Sequence, residues 1–367
     1  NAAVNVTPMS ESIAPYYYYR NKQGAKSNAI TIDVGGETTD IYAVENNIPM
    51  MLTSFRFASN AVFGDGYNWD ADNNGFVKLY KDEIQSILRT NNLVDLDNAF
   101  AGILDKKKSS DIIAFFFSLA GNKQVTNLNV NSLNFLQKLS DNKQLKYIFV
   151  LFYASIVYHV ACTMKARGLQ VPSTIAFSGN GSRTLAILST NDKTLADFFG
   201  RIFSKVYGGN AVAIDDILEK QPKKATCKGG ILRTDAQAAE LRDDIKFDLL
   251  GCDLETTIAH KTLSSLGETT KEQIVNEVLR FVAFTKDFNK NDYYRDKFDV
   301  DASIENLIDE LFTPEKVKEY LKEGIERKSQ ELANMSAQDS IDETLFFYPF
   351  IGLLNELARE ISKLREN

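Results

Sequence analysis

The sequence predicts an α/β protein, with a mixed sheet and flanking helices over residues 1–232 and an all-α extension over 233–367. Three observations lead there. An apolar, β-branched run that starts at Ala29 and ends on Asp33 and a second from Ile41 to Val44 are separated by a glycine turn, which reads as strand, tight turn, strand. A further apolar strand, Val171–Ser178, runs into Gly179-Asn180-Gly181 and then into a helix start, the strand–turn–helix order of α/β layers. From Asp235 onward glycine becomes scarce and charge dense. Apolar residues there recur at helical spacing, in Ile274, Val278, Phe281 and Val282 and again in Leu307, Ile308 and Leu311.

In chain order, residues 1–28 read as an incoming strand at Val4-Asn5-Val6, a helix and a polar turn over Asn21–Asn28. Residues 29–70 read as an antiparallel meander. Residues 76–142 read as a mostly helical insertion, rich in Asn, Lys and Asp, with apolar groups at Ile112-Ile113 and Phe115-Phe116-Phe117. Residues 143–232 read as a long helix, the strand at 171–178, a helix over Leu195–Phe203 and a last helix over Lys223–Leu232. The segment Tyr147–Met164 holds 18 residues without a formal charge, the lower limit for a bilayer span. Its Tyr153, Ser155, Tyr158 and His159, and a lysine at each flank, favour a buried helix and give no orientation signal. The last amphipathic run, Leu345–Leu364, is expected to pack in a bundle. A partner-binding face on this extension is the alternative, and it lacks the cationic face that membrane surfaces favour.

Composition narrows the function. The 367 residues suffice for more than one core. A net charge of −7 and a pI near 5.2 argue against a nucleic-acid partner. Cys162, Cys227 and Cys252 are odd in number and form no CxxC pair, so reduced thiols and a cytoplasmic setting are expected. Of the two histidines, His159 sits in an apolar run and is expected to be buried, and His260 sits in a polar one. A Ser-His-Asp or zinc-hydrolase site has little to build on. There is no P-loop, no dinucleotide GxGxxG fingerprint and no repeat at a period of 20–50 residues. The start lacks the basic and apolar regions of a signal peptide.

The chemistry gathers at two turns. In Asp33-Val34-Gly35-Gly36-Glu37-Thr38-Thr39-Asp40, Gly35 and Gly36 let backbone N–H groups approach phosphate oxygens. Thr38 and Thr39 add hydroxyl donors, and Asp33 at the strand end can hold a metal ion or its water shell. A plain glycine hairpin is the alternative. About 140 residues on, Gly179-Asn180-Gly181-Ser182-Arg183 opens a helix and presents polar groups to a nucleotide.

The DxGGxTTD hairpin resembles the second phosphate-binding hairpin of the actin, Hsp70 and sugar-kinase superfamily. The Gly-x-Gly turn resembles that superfamily's adenosine motif, and its Ser182-Arg183 is especially like the Hsp70 form. The resemblance implies an RNase-H-like ATPase lobe that binds ATP and Mg²⁺. Asp33 would hold the metal, and Gly35, Gly36, Thr38, Thr39, Gly179, Gly181, Ser182 and Arg183 would bind the nucleotide, with Arg183 stacked on adenine. Met9–Tyr17 is similar to the segment that precedes this hairpin in Hsp70 and FtsA-like proteins. That similarity implies that Glu11 joins Asp33 and Thr38 in catalysis, although Ser12 stands where a proline is usual. Phe57–Asn68 falls where a further glycine turn lies near the phosphates. Lys223–Leu232 resembles the second connecting helix, with Gly229 and Gly230 at a tightly packed hinge.

Only one such hairpin is present, and its surroundings match the second lobe. The expectation is therefore that the chain is part of a longer protein whose first lobe supplies the opposing phosphate clamp. Nucleotide-driven lobe movement would control a protein partner. A non-enzymatic nucleotide-sensing or structural scaffold, or a small-molecule kinase of the same superfamily, is the alternative.

Overall fold

The computed structural model describes residues 13–23, 27–64, 70–209, 214–218, 222–232, 261–334, 341 and 343–364. Its main elements begin with helix α1 (Ala14–Gln23) and strands β1 (Ala29–Val34), β2 (Thr39–Glu45) and β3 (Ile48–Phe55). Helices α2 (Gly75–Thr90), α3 (Val94–Leu104), α4 (Ser109–Leu119) and α5 (Lys143–Ala166) follow. Then come β4 (Thr174–Ser178), α6 (Asp192–Tyr207), β5 (Asp215–Leu218) and α7 (Pro222–Leu232). The helices α8 (Glu268–Phe288), α9 (Ile304–Leu311), α10 (Pro314–Asn334) and α11 (Tyr348–Lys363) complete the chain. Two compact units result. One combines Asn1–Ala58, Val157–Arg183 and Asn191–Glu255, and the other Ser59–Ile156, Thr184–Thr190 and Thr256–Asn367.

The first unit holds a five-stranded sheet in the order β3-β2-β1-β4-β5. Strands β1, β2 and β3 form the expected antiparallel meander, and β4 and β5 run parallel to β1. Central β1 is buried on both faces: Ile30, Ile32 and Val34 are fully buried, as are Ala29 and Thr31 of the other face. A strand covered on both sides reads as an unbroken apolar run rather than an alternating one. Strand β5 is absent from the sequence reading, because two of its four residues are aspartates.

Helix α1 carries four tyrosines onto one face of this sheet. Tyr16 and Tyr17 pack with Ala29, Tyr42, Val44 and Leu52, and Tyr18 and Tyr19 with Ala176 and Ala225. The Tyr19 hydroxyl donates to the Phe177 carbonyl at 2.8 Å, which satisfies the polar tip of a buried ring. Helix α7 crosses α1 with no room for a side chain at 229. A Cβ on Gly229 would lie 1.7 Å from the Ala14 carbonyl oxygen. Gly229 thus meets the close packing read from the sequence, whereas Gly230 is exposed. On the other face Phe177 packs against Phe199 of α6 at 5.0 Å, and Phe55 meets the His159 ring edge-on at 5.7 Å. Asn191 caps the start of α6, and Gly208 at φ 71° ends it.

Helix α5 is long and apolar enough to cross a bilayer, yet 89% of its most apolar stretch is buried within the protein. Its residues up to Ile156 belong to the second unit and the rest to the first.

The second unit is helical. Phe63 touches Phe76, Phe117 and Phe149, and Phe100 stacks on Phe115 with an interplanar angle of 5°. Asn74 organises the start of α2: its side chain accepts from Val77 N–H and donates to the Phe63 and Gly64 carbonyls. Helix α2 meets α11 at Gly75, where a Cβ would approach the Ala358 carbonyl to 2.2 Å. Gly352 of α11 makes room for the Tyr320 ring in the same way. The helical segment read as an insertion and the C-terminal extension therefore share one core. Lys328 and Glu343 pair at 3.2 Å inside it, and Tyr348 donates to the same carboxylate at 3.0 Å.

Candidate functional site

The hairpin between β1 and β2 supplies the first half of the site. Its register sets Val34 against Thr39 and Asp33 against Asp40. Gly35 N–H donates to the Thr38 carbonyl at 2.9 Å and closes the turn. Gly36, Glu37 and Thr38 are left at an exposed tip. Neither Gly35 nor Gly36 takes a positive φ, so the backbone conformation does not demand glycine here. At Gly35 the need is for space, since a Cβ would lie 3.1 Å from the Thr38 oxygen.

Only one of the two threonines is placed where a hydroxyl donor to a ligand is expected. Thr38 is exposed. Thr39 is fully buried, and its hydroxyl donates to the Phe57 carbonyl at 2.6 Å. Adjacent residues of an extended chain face opposite ways, so only one of the pair reaches the surface. Thr39 instead ties the hairpin to the segment after β3.

The second half comes from the end of β4. Parallel pairing with β1 brings Ser178 level with Asp33. The Ser178 hydroxyl donates to Asp33 Oδ2 at 2.8 Å. Gly179 then turns the chain at φ 80°, the left-handed region that glycine occupies without strain. A Cβ there would also lie 2.2 Å from the Val34 carbonyl oxygen. At Gly181 a Cβ would lie 2.5 Å from the Gly35 carbonyl oxygen. The two glycine turns are packed directly on each other. Ser182 is buried, and its hydroxyl donates back to the Gly179 carbonyl at 2.7 Å, so it holds the turn. Arg183 is exposed at the end of this turn.

Asp33, Gly35, Gly36, Thr38, Gly179, Gly181 and Arg183 are thus gathered where the parallel strands β1 and β4 end. Open α/β sheets bind ligands at that edge. Glu11 lies outside the described residues, as do the end of the Phe57–Asn68 turn, residues 233–260 and His260. The sequence reading missed two members of the cluster, Ser178 and Asp40. Each directly borders a motif that was recognised: Ser178 precedes the glycine turn and Asp40 closes the hairpin. The Asp33–Asp40 register sets two carboxylates side by side, which opposes pairing unless a cation or donors offset it. Among the described residues no three His, Cys, Asp or Glu side chains form a metal cage.

No protein-family model matches this chain, and no curated protein matches it.

Proposed function

We propose that the first unit is an RNase-H-like lobe of the actin/Hsp70 type that binds ATP with Mg²⁺ at the paired glycine turns. The observation that carries this reading is the direct packing of the Gly179–Gly181 turn on the Gly35 turn, with Asp33 hydrogen-bonded to Ser178 between them. Two further features support it. The antiparallel meander β3-β2-β1 continued by parallel β4 and β5 suits an RNase-H-like lobe. The contact of Gly229 with Ala14 suits the small-residue crossing expected of connecting helices.

The donor set fits the group. Mg²⁺ is held by one or two carboxylates together with substrate phosphates, rather than by an all-protein cage. Asp33, with Asp40 opposite, offers hard oxygen of that kind. When bound, the metal would neutralise charge on the transferring phosphoryl group. The exposed tip at Gly36–Thr38 would meet the phosphates, and exposed Arg183 would stack on the base. The opposing phosphate clamp would come from a complementary lobe, because the sequence holds a single DxGG hairpin. Lobe closure around the nucleotide would then switch a protein partner.

Calorimetry with ATP–Mg²⁺ tests the reading. This chain should bind weakly and turn over ATP hardly at all, and Asp33→Ala should remove the Mg²⁺-dependent part of binding. Tight binding with steady turnover would show that the chain builds a complete active site without a second lobe. Absence of any binding, with or without Mg²⁺, would overturn the nucleotide assignment.

A further inference from the structure

Ser178 has a place in this site that the sequence motifs do not give it. It is the last residue of β4, fully buried, and paired in register with Asp33. Its hydroxyl donates to Asp33 Oδ2 at 2.8 Å. The other carboxylate oxygen, Oδ1, is bounded by Gly179: a side chain there would come within 2.4 Å of it. The end of β4 therefore acts on both oxygens of one carboxylate, by a donated hydrogen bond on one side and by close backbone on the other. A hydrogen bond to a charged acceptor is stronger and more directional than one between neutral groups.

We propose that Ser178 is a positioning residue that fixes the Asp33 carboxylate for the nucleotide-bound metal. It would thereby couple the Gly179–Arg183 turn to the phosphate hairpin. The inference rests on the ATP–Mg²⁺ reading above. It follows from burial, since a fully buried hydroxyl cannot itself meet a ligand at the surface. Its effect has to pass through the oxygen that it holds.

The test measures affinity for a ribose-labelled fluorescent ATP analogue, in EDTA and across a Mg²⁺ titration, on the whole chain and its variants. Ser178→Ala should cut the affinity gained from Mg²⁺ by about tenfold and leave affinity in EDTA within about twofold. A merely structural role would lower both together. Ser178→Cys keeps the volume and weakens the donor, so it should show the same selective loss if the alanine variant does not fold. Asp33→Asn is the reference for complete loss of the Mg²⁺ gain. If Ser178→Ala or Ser178→Cys folds and keeps the full gain while Asp33→Asn loses it, the positioning role is overturned and the site assignment stands. If the wild-type chain shows no Mg²⁺-dependent binding at all, both fall.

Discussion

Replacing Gly181 by alanine tests the contact on which the site depends. Its added Cβ would lie 2.5 Å from the Gly35 carbonyl oxygen and 2.8 Å from both the Val34 carbonyl oxygen and Val34 Cγ1. An ordinary carbon–oxygen contact is about 3.3–3.6 Å, so the turns have to part by about 1 Å. Two of the three obstacles are backbone oxygens, which cannot rotate away. Overpacking of this kind costs about 1–3 kcal/mol, and rigid neighbours favour the upper part of that range. Against it, alanine narrows the unfolded ensemble and returns about 0.4–1 kcal/mol. The clash wins, and a net loss of about 1–2.5 kcal/mol is expected. At about 2–4 °C per kcal/mol for a unit of this size, the melting temperature should fall by about 2–10 °C. Urea and thermal unfolding by circular dichroism measure the loss, and amide exchange of β1 and β4 peptides locates it. Gly102→Ala is the control with the opposite sign. Gly102 is exposed in helix α3 with nothing near its absent Cβ, so alanine should stabilise by about 0.5–1 kcal/mol. A Gly181→Ala variant as stable as wild type, with unchanged exchange in β1 and β4, would show that the two turns do not touch. The candidate site would then lose its central observation.

Two further outcomes follow from buried ionisable groups. Burial pulls the His159 imidazole down from its usual range to about 3, so the unfolded state takes up a proton that the folded state refuses. The stability held by neutral His159 is complete above about pH 6.5 and falls as pH drops toward 3. At pH 5 about 2 kcal/mol should be lost relative to pH 7. His159→Phe, which can keep the edge contact with Phe55, should flatten that part of the stability–pH curve. An identical slope in the variant would place the acid sensitivity elsewhere. In the second unit, Lys328→Met leaves Glu343 buried without its cation and should destabilise by about 3–5 kcal/mol. Adding Glu343→Leu should recover most of this in urea unfolding, and a strictly additive double variant would refute the coupling of the pair.

Much of the candidate site was legible because its residues stand close together in the sequence. Asp33, Gly35 and Gly36 stand together in one hairpin, and Gly179, Gly181 and Arg183 in one turn, so short-range pattern was enough to find them. Thr38 and Thr39 look alike in a sequence, and only strand alternation in the folded hairpin buries Thr39 and leaves Thr38 exposed. The Ser178–Asp33 hydrogen bond could not be read in advance, because its two partners stand 145 positions apart. His159 was read as buried from the apolar run around it, and the structure buries it.

The sequence by itself determined the periodicities: β-branched runs for the meander, a charge-free stretch for α5 and spaced apolar residues for the C-terminal helices. Those signals are local, because strand and helix repeats lie within a few residues. Tertiary structure decided the rest. It set β4 parallel beside β1, so that the end of one strand faces the turn of the other. It gave Gly229, Gly75 and Gly352 their roles, each the one residue that lets another segment's backbone or ring come close. It also joined the helices of 76–142 to those of the C-terminal extension in one core. Contacts between segments far apart in the chain depend on which surfaces bury one another. An amphipathic pattern tells that a face must be covered, and only the folded chain tells by what.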